Sequence, residues 1–360
     1  MPHDPIFHDL TGKPRARGLG LPFASPTGPL NAITDVPGLA VGYRTLIEGD
    51  GIRTGVTAVL PRPVPDVLEP LWAGFFALNG NGEMTGTHWI EEAGCLAGPI
   101  LITNTLSVGI AHHGLIRWLT RRFPAEFAND FWPLPVVAET YDGYLNDIAK
   151  LAVGEADAIA AIEDATTGPL AEGNVGGGTG MIAYEWKGGT GTASRRVAIG
   201  SDTFTLGILV QANHGRRPWF RVAGMPVGER LRDGAFRSKE RGSIIVVIAT
   251  DAPLIPTQLK RLARRAALGV GRGGTPGGNS SGDIFLAFST ANGQGSLPEP
   301  PRLHFKAISN DLIDDLFMAV VEGVEEAVVN AMLAAETMTG KSGRTVEAID
   351  HQALVAAMRG

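Results

Sequence analysis

An apolar run in the second half of the chain limits the possible folds more than any other feature. Ser243–Thr250 (SIIVVIAT) carries six consecutive apolar residues, most of them β-branched, and directly follows a polar, arginine-rich connection at 214–242. A run of this length without polar alternation predicts a strand that is buried on both faces. Such a strand suits a layered core with other elements packed on each side.

Composition and charge exclude several classes of protein. Hydrophobic residues make up 44% of the 360 positions and charged residues 19%, which excludes a disordered chain. The net charge of −6 gives no electrostatic reason to bind nucleic acid or an anionic membrane. Glycine is abundant, with 48 residues and no Gly-X-Y period, so we expect many tight turns rather than collagen.

The sequence gives no sign of a metal, a cofactor or a secreted protein. Cys95 is the only cysteine, so an intrachain disulfide and a multi-cysteine zinc site are both excluded. His112-His113 is the only histidine pair, and the H-E-x-x-H pattern is absent. The start, Met1-Pro2-His3-Asp4, lacks the pattern of a signal peptide. We therefore expect a cytoplasmic enzyme or binding protein without a cofactor.

The pattern of apolar residues predicts alternating strands and helices in one large α+β domain spanning 1–360. Residues 1–30 are rich in proline and glycine and are expected to form a surface arm. The predicted strands are 39–43, 55–60, 99–104, 134–139, 197–199, 203–211, 243–250 and 284–290. The predicted helices are 145–164, a helix from Pro256 to a glycine cap at Gly269, and 310–338.

Gly278–Gly282 (GNSSG) matches the G-x-S-x-G nucleophile elbow of α/β-hydrolases. That elbow requires a strand before the serine and a helix after it. Here a glycine-rich loop precedes the motif and a predicted strand follows it. An α/β-hydrolase-type esterase using Ser280 is therefore kept as an alternative rather than as the main hypothesis.

Gly242-Ser243 has the form of a concealed N-terminal nucleophile, because the serine begins a buried strand and follows an accessible connection. Cleavage of this bond would give Ser243 a free α-amino group beside its own hydroxyl. Such an amine has an ordinary pKa of ~8 and can accept the hydroxyl proton near neutral pH. On these two residues alone, an ordinary turn before a strand is the favoured interpretation.

Several separate blocks of sequence resemble the L-aminopeptidase/D-amidase/D-esterase family, which includes the β-aminopeptidases. The blocks are Asn79–Gly86 (NGNGEMTG), Thr103–Gly109 (TNTLSVG), Val137–Gly143 (VAETYDG), Leu209–Asn213 (LVQAN), Gly242–Pro253 (GSIIVVIATDAP), Asn279–Asp283 (NSSGD) and Glu325–Asn330 (EEAVVN). The resemblance implies an αββα sandwich like that of N-terminal-nucleophile hydrolases, with its own connectivity. It also implies a homo-oligomer.

The resemblance further implies that the chain cuts itself between Gly242 and Ser243. An α subunit, 1–242, and a 118-residue β subunit, 243–360, would form a serine aminopeptidase acting on small peptides, amides or esters through an acyl-enzyme. A β-aminopeptidase of the same family is the alternative within this class. An unprocessed family member that serves in binding or assembly is the non-enzyme alternative.

The resemblance assigns roles to five further residues. Ser281 would relay a proton or bind the Ser243 amine, and Asp283 would orient that amine. Asn213 would donate to the oxyanion, which contributes roughly 2.7–4 kcal/mol where such donors have been measured. Glu139 would bind the free amino terminus of the substrate, and Tyr141 would assist the tetrahedral intermediate.

Other residues near these blocks receive weaker assignments. Asn104 and the loop 79–86 would line the substrate pocket without taking part in a chemical step. His214, which follows Asn213, is expected to affect selectivity rather than chemistry.

Overall fold

The computed structural model describes residues 4–293 and 304–359. The strands are β1 (Ala40–Glu48), β2 (Ile52–Leu60), β3 (Leu71–Ala77), β4 (Cys95–Leu96), β5 (Ile100–Asn104), β6 (Val136–Thr140), β7 (Ile182–Ala183), β8 (Trp186–Lys187), β9 (Gly189–Ile199), β10 (Asp202–Asn213), β11 (Ser243–Thr250), β12 (Ile284–Gly293), β13 (Met338–Thr339) and β14 (Thr345–Val346). The helices are α1 (Thr87–Ala93), α2 (Val108–Arg122), α3 (Pro124–Ala128), α4 (Glu155–Glu163), α5 (Val227–Arg230), α6 (Pro256–Arg272), α7 (Asp314–Ala334) and α8 (His351–Arg359).

Two mixed sheets form the centre of the molecule. One has four strands in the order β1-β2-β5-β6, and the other has six in the order β4-β3-β12-β11-β10-β9. Two of the neighbouring pairs, β5–β6 and β11–β12, are parallel. Each parallel pair is joined by a helical crossover, α2 in the small sheet and α6 in the large one.

The sheets are stacked between two layers of helices, which confirms the expected αββα sandwich. Strand β11 shows why, since Ile245 and Val247 pack between the sheets while Ile244 and Val246 pack against α6 and α7. Helices α2 and α4 cover the outer face of the small sheet. The six apolar residues of β11 are thus buried on both faces, as their lack of alternation predicts.

The N-terminal arm wraps across the core and is held by buried charges. Arg15 forms an ion pair with Glu172 at 2.8 Å, and Arg17 forms one with Glu326 at 2.8 Å. Both carboxylates are almost fully buried. The arm is therefore an integral part of the domain from its first described residues.

Three predicted helix bounds are wrong. The helix expected at 145–164 is confined to α4, because Leu151 adopts a positive φ of 49° and interrupts any continuous helix. Gly269 is not a cap but lies inside α6, where its missing side chain admits Val321 and Val324 of α7. Helix α7 begins at Asp314, after a short 3₁₀ turn at Asn310–Leu312.

Within residues 4–293 and 304–359, no helix combines the length and the apolar character needed to cross a bilayer.

Candidate active site

The end of β10 and the start of β11 meet in one antiparallel pair, in which Asn213 lies directly opposite Ser243. The register follows from the two long apolar strands, which pair without interruption from Leu206 to Asn213. Ser243 is 3% exposed and Asn213 is 1% exposed. A hydroxyl and a carboxamide are thereby held side by side at the end of two interior strands of the sheet.

Gly242 occupies a position that admits no side chain. Its φ is +150°, a conformation that favours glycine. A Cβ at this position would lie 1.7 Å from the Asn213 carbonyl oxygen and 3.4 Å from Asn213 Nδ2. The peptide bond between Gly242 and Ser243 therefore runs close beside the Asn213 amide.

Two backbone groups fix the orientation of the Asn213 amide. Its Oδ1 accepts a hydrogen bond from the Ile182 N–H at 2.8 Å, and its Nδ2 donates to the Tyr141 carbonyl at 2.9 Å. These two bonds fix the amide so that its Nδ2 group faces Tyr141 and its Oδ1 faces Ile182. The side chain of Tyr141 is half exposed and lies over Gly143, where a Cβ would come within 2.3 Å of the Tyr141 hydroxyl.

The Asp283 carboxylate lies next to Ser243, because it binds the N–H of the following residue, Ile244. Its Oδ1 accepts from the Ser281 hydroxyl at 2.6 Å and from the Ile244 N–H at 3.1 Å. Its Oδ2 accepts from Asn79 Nδ2 at 2.9 Å. Burial raises the pKa of Asp283, while the hydrogen bonds from Ser281 and Asn79 oppose that rise. The result is an oriented, desolvated carboxylate that accepts a hydrogen bond from the Ser281 hydroxyl.

A close contact between Gly82 and Gly282 brings the loop of Ser281 and Asp283 near a second carboxylate, that of Glu139. A Cβ on Gly82 would lie 2.8 Å from the Gly282 Cα and 3.2 Å from Glu139 Oε1. Likewise, a Cβ on Gly282 would lie 2.5 Å from the Asn81 carbonyl oxygen. The loop after β3 can therefore approach the loop before β12 only because both residues lack side chains.

Glu139, at the end of β6, lies in a buried polar pocket. Its Oε1 accepts from the Glu83 N–H at 3.1 Å, and the Thr105 hydroxyl donates to its Oε2. The residue is 3% exposed. Burial raises its pKa, and the hydrogen bonds from Thr105 and Glu83 oppose that rise. A carboxylate in this environment gains strongly from a cationic partner.

The structure therefore brings together the segments that carry the residues expected from the sequence. Ser281 and Asp283 lie beside Ser243 on one side and Asn213 lies on the other, with Tyr141 in contact with Asn213. Three supporting groups were not identified from the sequence: Asn79, which orients Asp283, Thr105, which binds Glu139, and the Ile182 N–H, which orients Asn213. Asn79 belongs to the block Asn79–Gly86, which carries part of the family resemblance, but its hydrogen-bond partner lies 204 residues away in the chain.

Two other residues were singled out from the sequence, Ser280 and His214. Ser280 is exposed, and helix α6 precedes its loop while β12 follows, which is the reverse of the order in a nucleophile elbow. The α/β-hydrolase hypothesis is therefore not favoured. His214 is 1% exposed and packs against Tyr184 at a ring distance of 5.0 Å. Burial lowers its pKa to about 3, so the buried imidazole is neutral, and an effect of His214 on selectivity stays a prediction.

Comparison with known proteins places this arrangement in a family. The sequence profile of Peptidase family S58 matches residues 31–346. The chain is 48% identical to the β-peptidyl aminopeptidase BapA of Sphingosinicella microcystinivorans, in an alignment that covers 96% of this chain and 92% of that protein. The corresponding BapA of Sphingosinicella xenopeptidilytica is 44% identical, with 96% and 91% coverage.

Solved structures agree with the sequence matches. The L-aminopeptidase D-Ala-esterase/amidase of Ochrobactrum anthropi, described as a prototype serine aminopeptidase with a variant of the Ntn-hydrolase fold, superimposes with a TM-score of 0.93 at 54% identity. The alignment covers 96% of this chain and 98% of that one. A β-aminopeptidase from a Burkholderia species gives a TM-score of 0.89 at 47% identity, with the same coverage. The chain therefore belongs to peptidase family S58, and it is a hydrolase of the serine aminopeptidase type with an Ntn-hydrolase-like fold.

Proposed function

We propose that the chain matures by cutting itself between Gly242 and Ser243. The Ser243 hydroxyl attacks the Gly242 carbonyl carbon, the C–N bond breaks, and the Ser243 nitrogen takes up a proton to become a free amine. Water then hydrolyses the resulting ester to the Gly242 carboxylate and the regenerated hydroxyl. The products are an α subunit, 1–242, and a β subunit, 243–360, of what remains one domain. The observation that carries this proposal is the pairing of Asn213 with Ser243 beside the oriented Asp283 carboxylate.

The mature enzyme uses the same groups on substrates. The free amine of Ser243 accepts the proton of its own hydroxyl, which attacks the substrate carbonyl and forms an acyl-enzyme. Asp283 orients and stabilises the charged amine, and Ser281 relays the proton. Asn213 donates from Nδ2 to the developing oxyanion, and Tyr141 assists at the same intermediate.

Glu139 gives the enzyme its preference for free amino termini. A substrate ammonium that reaches this buried carboxylate exchanges water for a charged partner in a desolvated pocket. Since Glu139 approaches Gly82, which touches the loop of Ser281 and Asp283, the ammonium is held close to the scissile carbonyl. We infer that acyl groups with a blocked amine are poor substrates for this reason.

Hydrolysis of β-amino-acid termini is a second candidate specificity. It is favoured by the β-aminopeptidases among the relatives, at 47% and 48% identity. Initial rates on a panel of aminoacyl p-nitroanilides with L-, D- and β-residues distinguish the two candidates. A cytoplasmic location and a homo-oligomer of αβ units stay predictions from the sequence.

Ser243→Ala is expected to abolish both maturation and hydrolysis, because the alanine has no hydroxyl to attack either carbonyl. Denaturing electrophoresis should show one full-length band for this variant and two bands for the wild type, the smaller beginning at Ser243 by N-terminal sequencing. Ser280→Ala is the matched control, and it should mature and turn over normally. Full activity in the Ser243→Ala protein would refute the nucleophile.

Gly242→Ala is expected to block maturation although the nucleophile is intact. The added Cβ would meet the Asn213 carbonyl at 1.7 Å, so the scissile bond must move away from the Asn213 amide. The fraction of cleaved chain over time, measured by intact-mass spectrometry, checks this. Gly271→Ala serves as control, since a Cβ there meets nothing within 4 Å. Equal maturation rates for the two variants would contradict the assigned bond.

Thr105→Val is expected to shift the pH dependence of KM. As pH falls through the pKa of Glu139, the carboxylate is neutralised, so KM for a substrate with a free amine rises. In the wild type this rise begins above the ordinary glutamate range of ~4.3, because burial raises the pKa. Removing the Thr105 hydroxyl takes away a donor that favours the charged form, so the rise should begin at still higher pH.

The measurement is KM against pH for wild type, Thr105→Val and the control Thr120→Val, whose exposed hydroxyl donates to the Arg117 carbonyl of its own helix. The control should follow the wild-type curve. Superimposable curves for wild type and Thr105→Val would contradict the effect of Thr105 on Glu139, and a KM that does not rise at low pH would remove Glu139 from substrate binding.

A further inference from the structure

A third buried carboxylate lies just before the proposed cleavage site. Glu240 is 8% exposed and stands three residues before Ser243, in the polar connection between β10 and β11. Its Oε1 accepts hydrogen bonds from the Gly215 N–H at 2.8 Å and the Thr275 hydroxyl at 2.7 Å. Its Oε2 accepts from the Gly278 N–H at 2.9 Å.

The three donors belong to the two segments that flank the active site. Gly215 lies two residues after Asn213, while Thr275 and Gly278 belong to the loop that leads to Ser281 and Asp283. The Gly278 carbonyl in turn accepts from the Ser281 N–H at 3.0 Å. Glu240 therefore links the oxyanion side of the site to the acid–base side.

Glu240 also anchors the end of the connection that carries the proposed scissile bond. Upstream, the Glu185 carboxylate accepts from the N–H groups of Phe236 and Arg237. Glu240 is the next side chain with buried partners, two residues before Gly242. Gly242 itself has a positive φ, which glycine adopts readily, and it lies directly against the Asn213 carbonyl.

Intramolecular attack requires the Ser243 hydroxyl and the Gly242 carbonyl to be held in a reactive geometry, and a small misplacement costs much of the rate. We propose that Glu240 is a positioning residue for self-cleavage, whose carboxylate binds Gly215, Thr275 and Gly278 together and so holds the Gly242 carbonyl against the Ser243 hydroxyl. This inference rests on the proposed self-cleavage at Gly242–Ser243.

The chemistry of the contact requires a carboxylate. Glu240 accepts from two backbone N–H groups, one on each oxygen, and from a hydroxyl. A glutamine has the same size but one acceptor oxygen, and its NH₂ group would face a buried N–H. Leaving a buried donor unpaired is costly, so Glu240→Gln loosens the contact without changing its volume.

The experiment follows maturation of Glu240→Gln precursor on denaturing gels. The control is Glu229→Gln, the same change in the same connection at a half-exposed glutamate that pairs with Arg221. Glu240→Gln should mature about 10- to 100-fold more slowly than wild type, while Glu229→Gln should match it. Maturation of Glu240→Gln at the wild-type rate would overturn the proposal.

Hydroxylamine separates the two chemical steps. It attacks an ester at Gly242 and leaves a hydroxamate on the α subunit, which mass spectrometry detects. Because Glu240 is assigned to the attack of Ser243 on Gly242, hydroxylamine should not restore cleavage in Glu240→Gln. Restoration would show that the ester forms normally and would contradict the assigned step.

A purely structural role predicts different kinetics in the mature protein. The charge of Glu240 acts on Asp283, but the hydrogen bonds that orient Asp283 come from Asn79, Ser281 and the Ile244 N–H. The Glu240→Gln molecules that do mature should therefore lose much less in kcat per free Ser243 amine than the precursor loses in maturation rate. A proportional loss of maturation and turnover would count against a positioning role in self-cleavage.

Thr275→Val provides a milder second test, because it removes one donor to Glu240 and keeps the side-chain shape. It should slow the same step by less than Glu240→Gln does, and a normal rate would contradict the contact. Ser243→Ala distinguishes the failure of this inference from failure of the proposed function. If Ser243→Ala does not mature while Glu240→Gln matures normally, only the role of Glu240 fails.

Discussion

The site depends on one pair of residues in a β-ladder, Asn213 at the end of β10 and Ser243 at the start of β11. The pairing is set by the apolar strands behind it, whose side chains alternate between the two sheets and the helix layer. A slip of one residue would exchange the buried faces of β11. The geometry of these two residues is therefore stabilised by the packing of the whole core rather than by local contacts alone.

The arrangement of the site also requires backbone segments to approach each other closely. Gly82 meets Gly282, and Gly242 meets the Asn213 carbonyl, at distances that leave no room for a Cβ. These contacts bring the segments at the ends of β3, β10, β11 and β12 together. The glycine-rich composition thus has a specific meaning here, because Asp283, the Gly242–Ser243 bond and Glu139 come close together only where glycine leaves room.

Much of the architecture could be predicted from local pattern. The uninterrupted apolar run of β11 predicted its bounds and its double burial, and Pro256 predicted the start of α6. The helix expected at 145–164 was wrong, since the apolar spacing there is compatible with a helix but Leu151 adopts a positive φ. Periodicity reports which residues prefer burial, and it does not report where tertiary contacts bend the backbone.

The sequence by itself determined that β11 is a central strand, that a glycine precedes its serine, and that the family resemblance assigns Ser243, Asn213, Asp283 and Glu139 to one site. Only the tertiary structure decided which groups orient them. Asn79 binds Asp283 across 204 residues of chain, and Glu240 joins Gly215 to Gly278. Such contacts leave no local signal, because they arise from strands that are adjacent in the sheet and remote in the sequence.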